Sequence, residues 1–113
     1  MKNTRKFYGD TIIKLENMEE KNTCTGNKFK IEYYQLESSI TEANHLVKYG
    51  VEILKRDVVN DNILERKEIR DITNTEEKIY NLLDILYRNE VTPISLNDVI
   101  EDLQFIGYIG NRL

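Results

Sequence analysis

Residues 75–104, TEEKIYNLLDILYRNEVTPISLNDVIEDLQ, decide the architecture of this 113-residue chain. Ile79, Leu82, Leu83 and Leu86 recur at the i, i+3, i+4, i+7 spacing that gathers apolar side chains on one helix face. Thr73, Asn74 and Thr75 are three consecutive cap-competent residues, and Glu76 and Glu77 follow at the positive end of the helix dipole. Asp84 and Arg88 stand in the favourable i, i+4 order. The helix should stop near Asn89, because Thr92 precedes Pro93 and is pushed away from helical geometry. A second helix is expected from Ser95 to Gly107, with Asp98 at cap spacing and Leu96, Val99, Ile100 and Leu103 as its stripe.

Upstream of this pair the period changes from helix to strand. Lys6–Leu15 carries Phe7, Thr11, Ile13 and Leu15 on one parity, and Lys28–Leu36 places Phe29, Ile31 and Tyr33 on one face. Tyr34 and Leu36 take the other parity, which requires a bulge or two partly covered faces. Between these two strands, residues 17–27 are polar and read as a loop closed by Gly26-Asn27; Ser38–Asn44 reads as a second loop. His45–Val59 aligns Val47, Tyr49, Val51 and Ile53, with Gly50 inside it as a site of bulging or close backbone approach. Asn60-Asp61-Asn62 signals a turn, and Ile63–Ile72 returns as a more charged hairpin partner near an edge. Strands first and helices last is the pattern of segregated layers. The expected fold is α+β, an antiparallel three- or four-stranded meander followed by two short C-terminal helices packed on one face.

Composition bounds the function. The length suits one domain, 1–113, divided into a variable N-terminal extension (1–27), a sheet (28–73) and a helix pair (75–105). Cys24 is the only cysteine, so no intramolecular disulfide and no oxidising compartment is implied. No segment approaches the roughly 20 apolar residues that span a bilayer, so no membrane role and a cytoplasmic location are expected. Residues 1–74 carry thirteen basic and thirteen acidic side chains, whereas residues 75–105 carry two basic and seven acidic ones. The net charge of −4 is therefore concentrated in the helix pair.

Tyr49-Gly50-Val51-Glu52-Ile53, Asp71-Ile72-Thr73, Leu82-Leu83, Leu86, Asn89 and the run Val91-Thr92-Pro93-Ile94-Ser95-Leu96-Asn97-Asp98-Val99-Ile100-Glu101-Asp102 form a recognisable pattern. It resembles a family of small proteins from low-GC Gram-positive spore-forming bacteria that is classed as a domain of unknown function. The likeness covers about residues 29–104 and leaves 1–27 unmatched. It implies a bacterial cytosolic setting and no particular chemistry. A usage of one alanine, fourteen isoleucines and twelve asparagines agrees with AT-rich coding DNA.

Candidate chemistry is sparse. His45 is the only histidine, and with Cys24 far away in a polar loop the two cannot assemble a zinc site or a nucleophile–base pair. An ordinary strand-start residue is the favoured reading of His45. Asp98, Glu101 and Asp102 share one helix face and could present carboxylates to a hard cation or a basic partner, but a cap plus a solvated face explains them more simply. No phosphate-cradling glycine motif and no nucleophile elbow occurs. No cofactor, metal site or catalytic residue is therefore assigned, and a non-enzymatic role is expected.

The helix pair could suggest a helix–turn–helix, yet the second helix has no basic residue between Leu96 and Leu103, which opposes phosphate binding. Lys28, Lys30, Lys48, Lys55, Arg56, Arg66, Lys67 and Arg70 keep a nucleic-acid role as the alternative; their scatter among equal numbers of acids favours a solvated face. The preferred reading is a small protein-binding or regulatory module, self-association included. Two short helices cover one sheet face, while the opposite parity still carries Tyr34, Leu36, Leu46, Leu54 and Val58, with Phe105 and Tyr108 added by the tail. Such apolar surface marks interaction sites.

Overall fold

The computed structural model describes residues 2–14, 28–40 and 46–105. Four antiparallel strands, β1 (Lys2–Lys14), β2 (Lys28–Ile40), β3 (Leu46–Asp57) and β4 (Ile63–Thr73), form one sheet in the order β1-β2-β3-β4. Two helices follow, α1 (Glu76–Arg88) and α2 (Leu96–Phe105). This is the expected α+β meander with its helix pair, and the sheet has four strands. No helix among the described residues is long and apolar enough to cross a membrane.

The strands are longer than their apolar patterns suggest. β2 continues through Ser38 and Ser39, which pair with Asn3 and Lys2 on one side and with Lys48 and Val47 on the other. Ladder hydrogen bonds do not depend on side-chain hydrophobicity, so these positions stay in the sheet although they read as a loop. β1 starts at Lys2 for the same reason: it is the edge partner of β2 from Lys2↔Ser39 onward. His45, Leu15, the Gly26-Asn27 segment and Gly107 lie outside the described residues.

The odd residues of β2 face the helices. Ile31, Tyr33, Val51, Ile53, Ile69 and Ile72 meet Ile79, Leu82, Leu83, Leu86, Val91, Leu96 and Ile100 in one core, with Tyr49, Val99 and Leu103 partly buried against it. Phe29 and Val47, expected in the core, are only half-buried. The buried Tyr33 hydroxyl donates to the Val91 carbonyl at 2.9 Å, tying the sheet centre to the turn between the helices. At the start of α1, Thr75 takes the N-cap position without a side-chain cap hydrogen bond, and Thr73 Oγ1 instead accepts from the Thr75 N–H at 3.2 Å.

Three local devices set the faces. The register shifts between Phe7 and Gly9, so Tyr8 is an extra residue that turns toward α1, where it meets Tyr80 and Tyr87 edge-on. Phe7 therefore faces away from the helices, opposite to the parity expected for it, and is 54% exposed. A second irregularity lies where Tyr49↔Thr73 gives way to Val51↔Ile69; here Asp71 adopts φ 57°, a left-handed conformation that Asp tolerates. Gly50 sits opposite this bulge, and a Cβ there would lie 2.2 Å from the Ile69 carbonyl oxygen. The backbones approach too closely for any side chain.

Candidate functional site

A 13-residue strand runs about 40 Å, whereas α1 and α2 extend about 20 and 15 Å. One side of the sheet carries this short helix layer; the other side, formed by the even residues of β2 and called the open face below, carries no helix among the described residues. The open face is built from four strands in register: Arg5 opposes Leu36, Leu36 opposes Gly50, Tyr34 opposes Glu52, and Leu54 opposes both Glu32 and Arg66.

Two carboxylates lie buried on this face. Glu52 is 1% exposed and accepts from Arg5 Nη1 at 3.0 Å and from Arg66 Nε at 2.8 Å. Glu32 is 7% exposed and accepts from Arg56 Nε at 3.1 Å and from the Tyr34 hydroxyl at 2.9 Å, with Lys30 Nζ at 3.4 Å. Burial by itself would raise the Glu32 carboxyl, but its hydrogen bonds from Arg56, Tyr34 and Lys30 outweigh that and hold it below the usual carboxylate range. The Tyr34 hydroxyl is raised, by burial first and then by the anionic partner it donates to. Each buried carboxylate thus gathers two cations, leaving each cluster with one excess positive charge.

The cations are organised further by aromatic contacts and by each other. Arg5 lies 4.2 Å from the centre of the Tyr34 ring, and Phe7 packs edge-on against the same ring at 5.6 Å. Arg70 Nε donates to Glu68 at 2.9 Å and its Nη1 to Ser38 Oγ at 3.4 Å. Together Arg5, Arg66 and Arg70 border a shallow cavity of about 160 Å³ above Leu36 and Glu52. A separate open groove of about 420 Å³ lies at the β4 edge, lined by Glu65, Arg66, Lys67, Pro93, Ile94 and Asn97.

The interaction residues read from the sequence are partly brought together. Tyr34, Leu36 and Leu54 do lie on the open face, but Leu36 and Leu54 are buried, at 2% and 1% exposure. Register sets Arg5 beside Leu36 and Arg66 beside Leu54, and long side chains of this kind can lay their aliphatic stems over apolar neighbours while their charged ends stay wet. Leu46, at the start of β3, and Val58, just past its end, are exposed. The side chain of Phe105, and Tyr108, lie outside the described residues, as do Cys24 and His45. Asp98, Glu101 and Asp102 are all exposed on α2, and no group of three or more metal-ligating side chains occurs among the described residues.

Register also sorts the basic residues. Of the eight considered for nucleic acid, Lys28, Lys30, Lys48, Arg56, Arg66 and Arg70 lie on the open face, while Lys55 and Lys67 lie on the helix side. With Arg5 and Lys14 the open face carries eight cations against Asp10, Glu32, Glu52 and Glu68. The buried carboxylates were missed because their arginine partners come from other strands, Arg5 and Arg66 for Glu52 and Arg56 for Glu32, although Lys30 and Tyr34 stand two residues from Glu32 on β2 itself. The available signal was a Glu at the centre of an otherwise apolar strand, as in Val51-Glu52-Ile53.

A family model described as a family of unknown function (DUF6514) matches residues 12–105. Residues 2–11 of β1, which supply Arg5 and Tyr8, precede that span. Comparison with curated proteins and with solved structures finds no match.

Proposed function

We propose that this chain, which belongs to the DUF6514 family of unknown function, is a small protein-binding or regulatory module whose working surface is the open face of its sheet. The observation that carries the reading is the pairing of two aromatic rings, the exposed Phe7 and the partly buried Tyr34, with arginines held by buried carboxylates. Aromatic and arginine side chains are the residues enriched in protein interfaces. Replacing a buried ion pair by apolar side chains is often neutral or stabilising, so Glu32 and Glu52 contribute more to placing the guanidinium groups than to stability.

The module is non-catalytic in this reading. Glu32 is held below the usual carboxylate range by its partners, so it carries no proton to donate at neutral pH and is a weak proton acceptor. The setting is the cytosol of a low-GC Gram-positive bacterium, in keeping with the single cysteine and the AT-rich residue usage. The partner is a protein, a second copy of the chain included.

A second reading, single-stranded nucleic acid laid across the same face, draws on its excess of cations and on the Phe7–Tyr34 pair. The acidic whole, with a pI of about 5.1, weighs against it. Light scattering after gel filtration, followed by capture from the native cell extract, tests the proposal with the double variant Phe7→Glu, Ile12→Glu. Both side chains are more than half exposed, so the fold is kept. Loss of self-association or of protein capture is expected in that variant and not in Ile94→Glu. Equal behaviour of both variants, or capture of nucleic acid alone, would overturn the reading.

A further inference from the structure

We propose that the cleft formed by Arg5, Arg66 and Arg70 above Leu36 is an anion subsite that takes the carboxylate side chain of an acidic partner segment. The inference deepens the binding-module reading and rests on it. Among the described residues, three guanidinium groups face two carboxylates here, Glu52 and Glu68, which leaves one positive charge in excess.

The donors are free to act outward. Each guanidinium carries five N–H donors in a fixed fork. Among the described residues, Arg5 gives Nη1 to Glu52, Arg66 gives Nε to the same carboxylate, and Arg70 gives Nε and Nη1 to Glu68 and Ser38. The three side chains remain 42%, 55% and 36% exposed. Glu52, anchored at 1% exposure, holds two forks from below, so little rotamer freedom is left to lose when a ligand binds. Planar forks match carboxylates bidentately.

Size and charge choose between anions. The cavity of about 160 Å³ corresponds to about five water volumes, which suits the end of an Asp or Glu side chain better than a nucleotide. A polyphosphate strand gains affinity by releasing counterions at six to ten contacts or so. One uncompensated charge cannot supply that, and Glu32 and Asp10 lie farther along the same face. A short acidic segment needs only the single cleft.

The test is an NMR titration of the full ¹⁵N-labelled chain with acetylated tetraglutamate, and with tetrathymidylate as the competing chemistry. Saturable shifts of the Nε–Hε signals of Arg5, Arg66 and Arg70 are expected, with tetraglutamate bound more tightly than tetrathymidylate. Glu68→Gln frees Arg70 and should tighten tetraglutamate binding about two- to fivefold, while Arg70→Gln should weaken it by a similar factor. The Glu68–Arg70 pair is solvent-accessible, so neither variant endangers the fold, and a folding defect could not produce opposite signs. Absent shifts, changes of equal sign in the two variants, or tighter binding of tetrathymidylate would overturn the subsite. If tetraglutamate fails while Phe7→Glu, Ile12→Glu still abolishes protein capture, the subsite is wrong and the open-face reading stands.

Discussion

Gly50→Ala is expected to destabilise the protein by about 1–3.5 kcal/mol, and the value follows from the contact geometry. The added Cβ would lie 2.2 Å from the Ile69 carbonyl oxygen and 2.7 Å from Arg70 Cα. An ordinary C···O contact is about 3.3 Å or longer, so the overlap with the oxygen is roughly 1 Å. Both atoms are backbone, and no side chain can rotate away. Relief requires β3 and β4 to separate at the bulge, which combines overpacking strain of about 1–3 kcal/mol with a weakened ladder bond of about 1 kcal/mol. Against this, Ala restricts the unfolded chain and returns about 0.5–1 kcal/mol. Gly9→Ala supplies the control, because the nearest atoms to its Cβ would be those of the Tyr87 ring, at 3.3 Å, and a ring can shift. The unfolded-state gain is the same for both, so their difference isolates the steric cost. Urea denaturation followed by far-ultraviolet circular dichroism measures it. A Gly50→Ala unfolding free energy within about 1 kcal/mol of that of Gly9→Ala would refute the close-approach reasoning.

Other outcomes follow from the core and the carboxylates. Leu83→Ala, at a fully buried position under the sheet, should cost about 2–5 kcal/mol. Tyr33→Phe should cost about 1–2 kcal/mol in the same urea assay, since it leaves the buried Val91 carbonyl without its donor. Glu32 is held below its unfolded range, so its contribution is present above the unfolded pKa and is lost as pH falls through the folded one. The stability difference between the native chain and Glu32→Gln should therefore be constant near neutrality and shrink as the solution is acidified below about pH 4.3. A difference that grows on acidification would contradict the assignment.

The layered order was legible because two periods dominate the chain. Residues 46–72 repeat with period two and residues 79–103 with period near 3.6, and the buried faces of the helices match that reading at Ile79, Leu82, Leu83, Leu86, Leu96 and Ile100. Gly50 was legible as a close approach, though the strand it approaches was not. Parity failed at Phe7, since one inserted residue, Tyr8, moves every side chain before it to the other face. Burial failed at Leu36 and Leu54. A hydrophobic residue on the solvent side of a sheet reads as exposed unless the long side chains on neighbouring strands are known, and register alone brings Arg5 and Arg66 beside them. The same register turns an evenly mixed charge count into one face rich in cations. Ion pairs such as Arg5–Glu52, 47 residues apart, leave no local trace in sequence.

The most direct test is a photo-crosslinking residue placed at Phe7, on the open face, and separately at Ile94, on the exposed turn between the helices, with the full chain expressed in its native cells. Discrete protein adducts from Phe7, to a second copy or to another protein, with none from Ile94, are expected if the open face is the working surface. Adducts from Ile94 alone, or none from Phe7, would contradict it.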